Sequence, residues 1–316
     1  MAITLGPNRY GKAEVRMVHV DRSTDSHVLT DLNVSVALSG DLDAAHTAGD
    51  NTNVLPTDTQ KNTVYAFAAE HGVGAVEDFA LRLGRHFVTT PSITGALVTI
   101  EAYPWRRLGP HSFERGGGET RTARVTVTRD DEHVVSGVTG LVLMNTTDSE
   151  FVGFIRDRYT TLSEATDRIL ATSVTAAWRH AAVPARDASA SGPGASAAAT
   201  ETGASAGATR SAAPAADWNA SYAAARKALA DAFTGTYSRA LQETLFAMGR
   251  AVLGSGTGLA EVRLSLPNRH HFLVDTAPFG LRNEGTVFHA DDRPYGLIEA
   301  TVLDDERPEA PRAWTF

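Results

Sequence analysis

The chain has 316 residues, 42% of them hydrophobic, a formal net charge of −8 and no cysteine, which is length enough for two domains of ordinary size. An acidic balance excludes nucleic acid and anionic membrane as the main partner, since both select a basic surface. The missing cysteines exclude disulfides, thiolate nucleophiles, iron–sulfur clusters and cysteine zinc sites. The N-terminus shows no basic start followed by a long apolar run, no apolar stretch reaches membrane-spanning length, and the C-terminus carries no peroxisomal tripeptide; a cytoplasmic protein is expected.

Near the start, Ala13, Val15 and Met17 alternate with Lys12, Glu14 and Arg16. Further on, Leu32, Val34, Val36 and Leu38 alternate with Asn33, Ser35 and Ala37, and both patterns predict half-buried strands. The stretch VLPTDTQKNTVYAFAAEHG, residues 54 to 72, then predicts a helix. Pro56 stops a preceding strand, Thr57 is the N-cap, Gln60 completes a capping box, and Gly72 ends the helix. Val76, Phe79, Ala80, Leu83 and Phe87 mark a second amphipathic helix. A strand from Ala96 and a hairpin from Arg121, turning at Asp130 and Asp131, complete the first half.

The second half repeats this order. A strand starts at Ile169, and a helix entered through Asp217 carries Tyr222, Ala225, Leu229 and Phe233 on one face. A helix after Ser238 aligns Leu241, Leu245, Met248 and Val252, and strands follow in LAEVRLSLPNRHHFLVD and GLIEATVL. The expectation is an α+β protein of two related units, residues 1–145 and 146–316, each an antiparallel sheet with two helices on one face. Residues 184 to 217 hold no large apolar side chain, which predicts a flexible surface insertion rather than a domain boundary.

SLPNRHHFLVD places Asn268 and His270 on one face of a strand and His271 on the other. An amide beside an imidazole can hold a small polar molecule and move a proton on it, whereas adjacent histidines on opposite faces cannot chelate one ion. By itself His270 reads as a strand histidine bonded to a neighbour. Lys12 stands at a strand start, where a lone lysine is usually a solvated charge. Phe151, Arg156, Arg158, Asp167 and Arg168 fall in FVGFIRDRYTTLSEATDRIL, a kind of run that usually forms surface ion pairs. A helix start after Ser238 puts the backbone N–H of Leu241 near the third helical position, without an intrahelical partner and beside the Gln242 amide. None of these features decides a function alone.

YGKAEVR, LPTDTQKNTVYAFA, FVGFIRDRYTTL, DRILAT, LQETLFAM and SLPNRHHFLVD occur in the order and at nearly the spacings of urate oxidases. The chain resembles that family over essentially its whole length, apart from 184 to 217 and the last dozen residues. The resemblance implies tandem tunnelling-fold units and a homotetramer enclosing a tunnel, with active sites between subunits. It further implies oxidation of urate by O2 and water to 5-hydroxyisourate and H2O2, with no metal or organic cofactor. Phe151 is implied to stack on the purine ring, while Arg168, Gln242 and the backbone N–H of Leu241 grip one edge of it. The family's usual residue at 241 is valine, but the contact is made by backbone. From the neighbouring subunit, Thr57 and the backbone N–H of Asp58 are implied to bind the opposite edge. Asn268 would hold O2 or water above the ring, and Lys12, Thr57 and His270 would form the proton relay.

The implied chemistry suits these residue types. Triplet O2 reacts slowly with closed-shell molecules, so an oxidase without a cofactor needs a substrate that gives up an electron itself. Removing a second proton from the urate monoanion makes it so, which is the task implied for Lys12 acting through the Thr57 hydroxyl. Arg168, Gln242 and the N–H groups at two helix starts would then hold the dianion. Two other readings stay open. One is another tunnelling-fold purine or pterin enzyme, such as a cyclohydrolase or a pterin synthase or aldolase, several of which need a zinc cluster that this chain does not offer. The other is a purine-binding protein that has lost catalysis, against which the intact Lys12, Thr57, Asn268 and His270 speak.

Overall fold

The computed structural model describes residues 1–184 and 217–315. The insertion expected at 184–217 lies, apart from its two end residues, outside the described residues. In chain order the elements are β1 (Tyr10–Asp21), β2 (Val28–Gly40), α1 (Asp43–Thr47), α2 (Thr57–His71), α3 (Val76–Phe87), β3 (Ile93–Tyr103), β4 (Trp105–Arg107), β5 (Phe113–Arg115), β6 (Thr120–Thr128) and β7 (Glu132–Asn145). There follow β8 (Leu170–His180), α4 (Trp218–Gly235), α5 (Leu241–Leu253), β9 (Leu259–Leu273) and β10 (Phe288–Leu303). Apart from the small β4–β5 hairpin, the strands form one antiparallel eight-stranded sheet in the order β1-β2-β3-β6-β7-β8-β9-β10. Its two edges, β1 and β10, have no further strand partner among the described residues. No helix among the described residues is long and apolar enough to cross a membrane.

Period-2 alternation builds the helix-covered face of this sheet. Leu32, Val34, Val36 and Leu38 of β2 are buried, as are Leu170, Val174, Ala176 and Trp178 of β8. Fully burying side chains of this kind stabilises by ~1.5–3 kcal/mol each. The buried side chains divide into two clusters, one around Phe79, Phe87 and Ile100 beneath α2 and α3, the other around Trp178, Phe233 and Met248 beneath α4 and α5. A glycine sets the approach of one helix in each pair to the sheet. A Cβ on Gly84 of α3 would stand 2.7 Å from Val127 Cγ2 of β6, and one on Gly249 of α5 would stand 2.5 Å from Val302 Cγ2 of β10.

The structure corrects the expected face of Lys12. Lys12 pairs with Val36 but Val15 pairs with Val34, so β1 carries one extra residue between them. Glu14 takes a positive φ of 57° within this bulge, and its N–H donates to Ser35 Oγ at 2.9 Å. The alternation therefore shifts. Lys12 lies on the helix-covered face with Val15 and Met17, while Ala13, expected to face inward, is exposed. The same irregularity recurs in β7, where Val138 pairs with Ala176, Leu141 with Val174, and Gly140 has φ of 71°.

Two helix starts also differ from expectation. Thr57 is the first residue of α2, not its cap; Pro56 precedes the helix and no side chain caps it. Gln60 is fully buried and its amide donates to the Leu55 carbonyl at 3.3 Å, so the capping box does not form. Nor does a strand end at Pro56, because β2 stops at Gly40 and the unforeseen α1 intervenes. In α5, Leu241 is the first helical residue rather than the third. The cap at Asp217 does form, its carboxylate accepting from Ala220 N–H at 2.9 Å.

A buried polar network ties α3 to α4 across the middle strands. Glu77 accepts from Arg121 at 2.7 Å and from Ser136 Oγ at 2.6 Å. Because the Ser136 hydroxyl donates to that carboxylate, His180 Nε2, 2.9 Å away, must be the donor in their bond, which assigns the tautomer. Trp218 Nε1 donates to Asp78 at 2.6 Å, and Arg85 donates to the Pro184 carbonyl at 2.7 Å. Burial, with the nearby Arg121 charge, pushes His180 down from 6.5 to about 4. The unfolded chain therefore binds this proton first on acidification. The stabilisation is complete above pH 6.5 and lost as pH falls towards 4, by roughly 3 kcal/mol at most. Thermal midpoints measured from pH 7 to pH 4 should fall more steeply for the native chain than for His180→Gln; parallel curves would remove His180 as the cause.

Candidate active site

The segment after β7 assembles one half of the site. Residues Asp148 to Phe151 run between Ala165–Arg168 on one side and Ser238 on the other, through bridges Ser149–Ser238 and Phe151–Ala165. Glu150 N–H donates to Ser238 O at 2.8 Å, Ser238 N–H to Asp148 O at 2.9 Å, and Arg168 N–H to Ser149 O at 2.8 Å. Three stretches far apart in sequence are thereby fixed at the entry of α5. The expected surface ion pairs of this region do not form: among the described residues, Arg156, Arg158, Asp167 and Arg168 make none. Asp167 accepts from Thr147 Oγ1 instead, at 3.1 Å.

Phe151 and Phe154 stack with centroids 4.9 Å apart and planes 11° from parallel. The Arg168 guanidinium carbon lies 5.4 Å from the Phe151 centroid. Burial holds the Arg168 guanidinium below its ordinary affinity for a proton, with no carboxylate to offset it. At the start of α5 the Leu241 side chain is buried while Gln242 is exposed. The first intrahelical acceptor, the Ala240 carbonyl, is taken by Glu243 and Thr244, which leaves the N–H groups of Leu241 and Gln242 without intrahelical partners.

Asn268 and His270 continue the helix-covered face of β9 beyond Leu264 and Leu266. Asn268 stands opposite the fully buried Thr172 of β8, and His270 opposite Asp291 of β10. The β9–β10 register slips between Asp291 and Gly296, so β10 bulges beside these two residues. His270 stacks on Phe272 with centroids 5.7 Å apart. His271 leans away, its Nδ1 3.1 Å from the Arg269 carbonyl oxygen. Among the described residues no group of three or more His, Asp and Glu could hold a metal ion.

Lys12, Thr57 and Asp58 form a second group. Tyr10 Oη donates to Leu55 O at 2.9 Å and Tyr65 Oη to Arg16 O at 3.3 Å, so β1 is pinned under α2 on either side of Lys12. The Lys12 ammonium makes no ion pair or hydrogen bond among the described residues. Thr57 is half-buried and its hydroxyl is likewise uncommitted. The Asp58 carboxyl is held below its ordinary value, first by the hydrogen bond from Lys61 and less by the charge of Lys12. Its side chain is thus engaged locally, leaving its backbone N–H in the first turn of α2.

The chain does not bring these two groups together. β1 and β9 lie six strand intervals apart in the sheet, each about 4.8 Å. Two clefts of about 380 and 510 Å³ lie elsewhere, the first beside Glu119 and Arg226, the second beside Asp275 and Arg282. Local sequence reasoning missed Ser149 and Phe154, both of which support the first group. Phe154 had a signal in its spacing from Phe151; Ser149 had none, because its role depends on Ser238, far along the chain.

The Uricase family model matches residues 8–126 and 134–299. A uricase of Arthrobacter globiformis is 46% identical over 303 residues, covering 95% of this chain and 90% of its own length. A uricase of Dictyostelium discoideum is 35% identical over 310 residues, covering 95% of this chain and 97% of its own. The crystal structure of uricase from Arthrobacter globiformis superposes with a TM-score of 0.86 at 45% identity, covering 99% of each chain. That of a uricase from Bacillus fastidious gives 0.74 at 22% identity, a likeness of fold, covering 96% of this chain and 95% of its own. Fold and relatives thus define an oxidoreductase of the tunnelling-fold class. The chain belongs to the uricase family, and its activity is the oxidation of urate.

Proposed function

We propose that the chain works as a homotetramer in which Lys12, Thr57 and Asp58 of one subunit face Phe151, Arg168, Leu241, Gln242, Asn268 and His270 of another. The observation that carries this reading is the half-buried Arg168, without a carboxylate partner among the described residues and beside a stacked aromatic platform, with the uncommitted Lys12 and Thr57 too distant to reach it within one chain. Two unpaired sheet edges support an assembly, since long edges seldom stay uncovered. So do the exposed apolar side chains Tyr295 and Leu297 on the edge strand β10, with Phe272 and Leu273 on β9 beside it.

In this site urate stacks on Phe151, its anionic edge paired with the Arg168 guanidinium, Gln242 and Leu241 N–H, and its other edge with Thr57 and Asp58 N–H. Lys12 removes a proton through the Thr57 hydroxyl. The dianion passes one electron to O2 held by Asn268, and the two radicals combine at C5 as a hydroperoxide. Peroxide leaves, water adds at C5 with His270 moving its proton, and the balance is urate, O2 and water giving 5-hydroxyisourate and H2O2. No metal or organic cofactor takes part, and the absence of disulfides suits a cytoplasmic protein. The test is loss of urate absorbance with stoichiometric peroxide in metal-chelated buffer, alongside the sedimentation mass. Urate bound without peroxide would replace catalysis by a binding role, and a fully active monomer would overturn the shared site.

The tandem division also belongs to this reading. β1-β2-α2-α3-β3-β6 and β7-β8-α4-α5-β9-β10 are the same series, each with a bulged first strand and a glycine where its second helix meets the sheet. On this reading the first unit ends with β6 and the second begins with β7.

A further inference from the structure

We infer that Ser149 is a positioning residue which aims the charged fork of Arg168 at the anionic edge of urate without neutralising it. The inference rests on the site proposed above. Arg168 Nε–H donates to Ser149 Oγ at 3.2 Å, and the Arg168 backbone N–H donates to the Ser149 carbonyl at 2.8 Å. One residue thus fixes both ends of the arginine. Ser149 is itself immobilised, being 1% exposed and bridged to Ser238, which is fully buried.

The geometry divides the guanidinium between two tasks. Its inner Nε–H is spent on a neutral hydroxyl, while Nη1 and Nη2 have no partner among the described residues. That outer edge presents two parallel donors, the shape that pairs bidentately with a planar anion. A carboxylate at 149 would hold the arginine as firmly but would cancel the charge that selects an anion. Acidic residues are close in sequence and are turned to other partners. Glu150 accepts from Tyr237 Oη at 3.0 Å, and Asp167 from Thr147 Oγ1. The loop therefore keeps one positive charge free in a place where three carboxylates, those of Asp148, Glu150 and Asp167, stand within a residue of Ser149 or Arg168.

A double-mutant cycle separates aiming from mere packing. Ser149→Ala should raise KM for urate about tenfold, the scale of one hydrogen bond to a charged group, with kcat within about twofold. Ser149→Thr, which keeps the hydroxyl, should restore most of the loss. In an Arg168→Lys background, where no Nε donor exists, Ser149→Ala should add less than about twofold to KM. An equal rise in both backgrounds would make Ser149 a packing residue and overturn the inference, as would an unchanged KM in Ser149→Ala alone. If Arg168→Lys itself left KM unaltered, the assignment of Arg168 to urate would fall first, and this inference with it.

Discussion

Lys12→Ala and Thr57→Ala are each expected to lower kcat by about 10²- to 10⁴-fold, the usual worth of a positioned acid–base group, while the chain folds and assembles normally. Neither side chain bears on the fold. The Lys12 ammonium bonds to nothing among the described residues, and β1 is held at this point by Tyr10, Tyr65 and the bulge bond from Glu14 to Ser35. The Thr57 hydroxyl caps nothing, and the α2 hydrogen bonds begin with Gln60 N–H to the Pro56 carbonyl at 3.1 Å. Steady-state turnover at saturating urate, with thermal midpoint and sedimentation mass as controls, checks both. Near-normal kcat in either variant would refute the relay. A large fall in thermal midpoint would instead show that these positions were structural.

Arg168→Ala should act differently, reducing kcat/KM by about a hundredfold or more and doing so mainly through KM. The guanidinium carries no carboxylate counterion among the described residues, so its attraction is directed at substrate in the ground state as well as in the dianion. The deletion also strands Ser149 Oγ, a buried acceptor, at a modest cost to stability of about 1 kcal/mol. Urate binding under anaerobic conditions, compared with turnover in air, reads the two effects separately. If kcat fell a hundredfold with KM unmoved, Arg168 would be stabilising only the transition state, and its place as the urate grip would have to be given up.

The parts of the fold that were legible in sequence are those written in a simple period. β2 alternates cleanly because its two faces see different solvents, and α3 repeats Val76, Phe79, Ala80, Leu83 and Phe87 because one side meets the sheet. β1 defeats the same reading at a single residue. Ala13 and Val15 look like one buried stripe until the extra residue at Glu14 turns Lys12 inward, and no local signal distinguishes a bulge from regular alternation. Thr57 and Gln60 have capping-box spacing, yet Gln60 gains more from the buried Leu55 carbonyl than from the helix end. The site residues were legible only through motifs shared with relatives. Asn268 and His270 carry their geometry in a strand pattern, but nothing near Lys12 announces that its counterpart is Arg168, since the two lie at opposite sides of the sheet.

The clamp between α3 and α4 has a practical consequence for engineering. Arg85 donates to the carbonyl of Pro184, and Asp78 accepts from the indole N–H of Trp218. Both anchors sit on one helix, two turns apart, about 10 Å along its axis. Pro184 and Trp218 are thus both held along one side of α3. Any change of chain length between residues 185 and 216 therefore has to keep both anchors, Arg85 to Pro184 and Asp78 to Trp218, in place on α3.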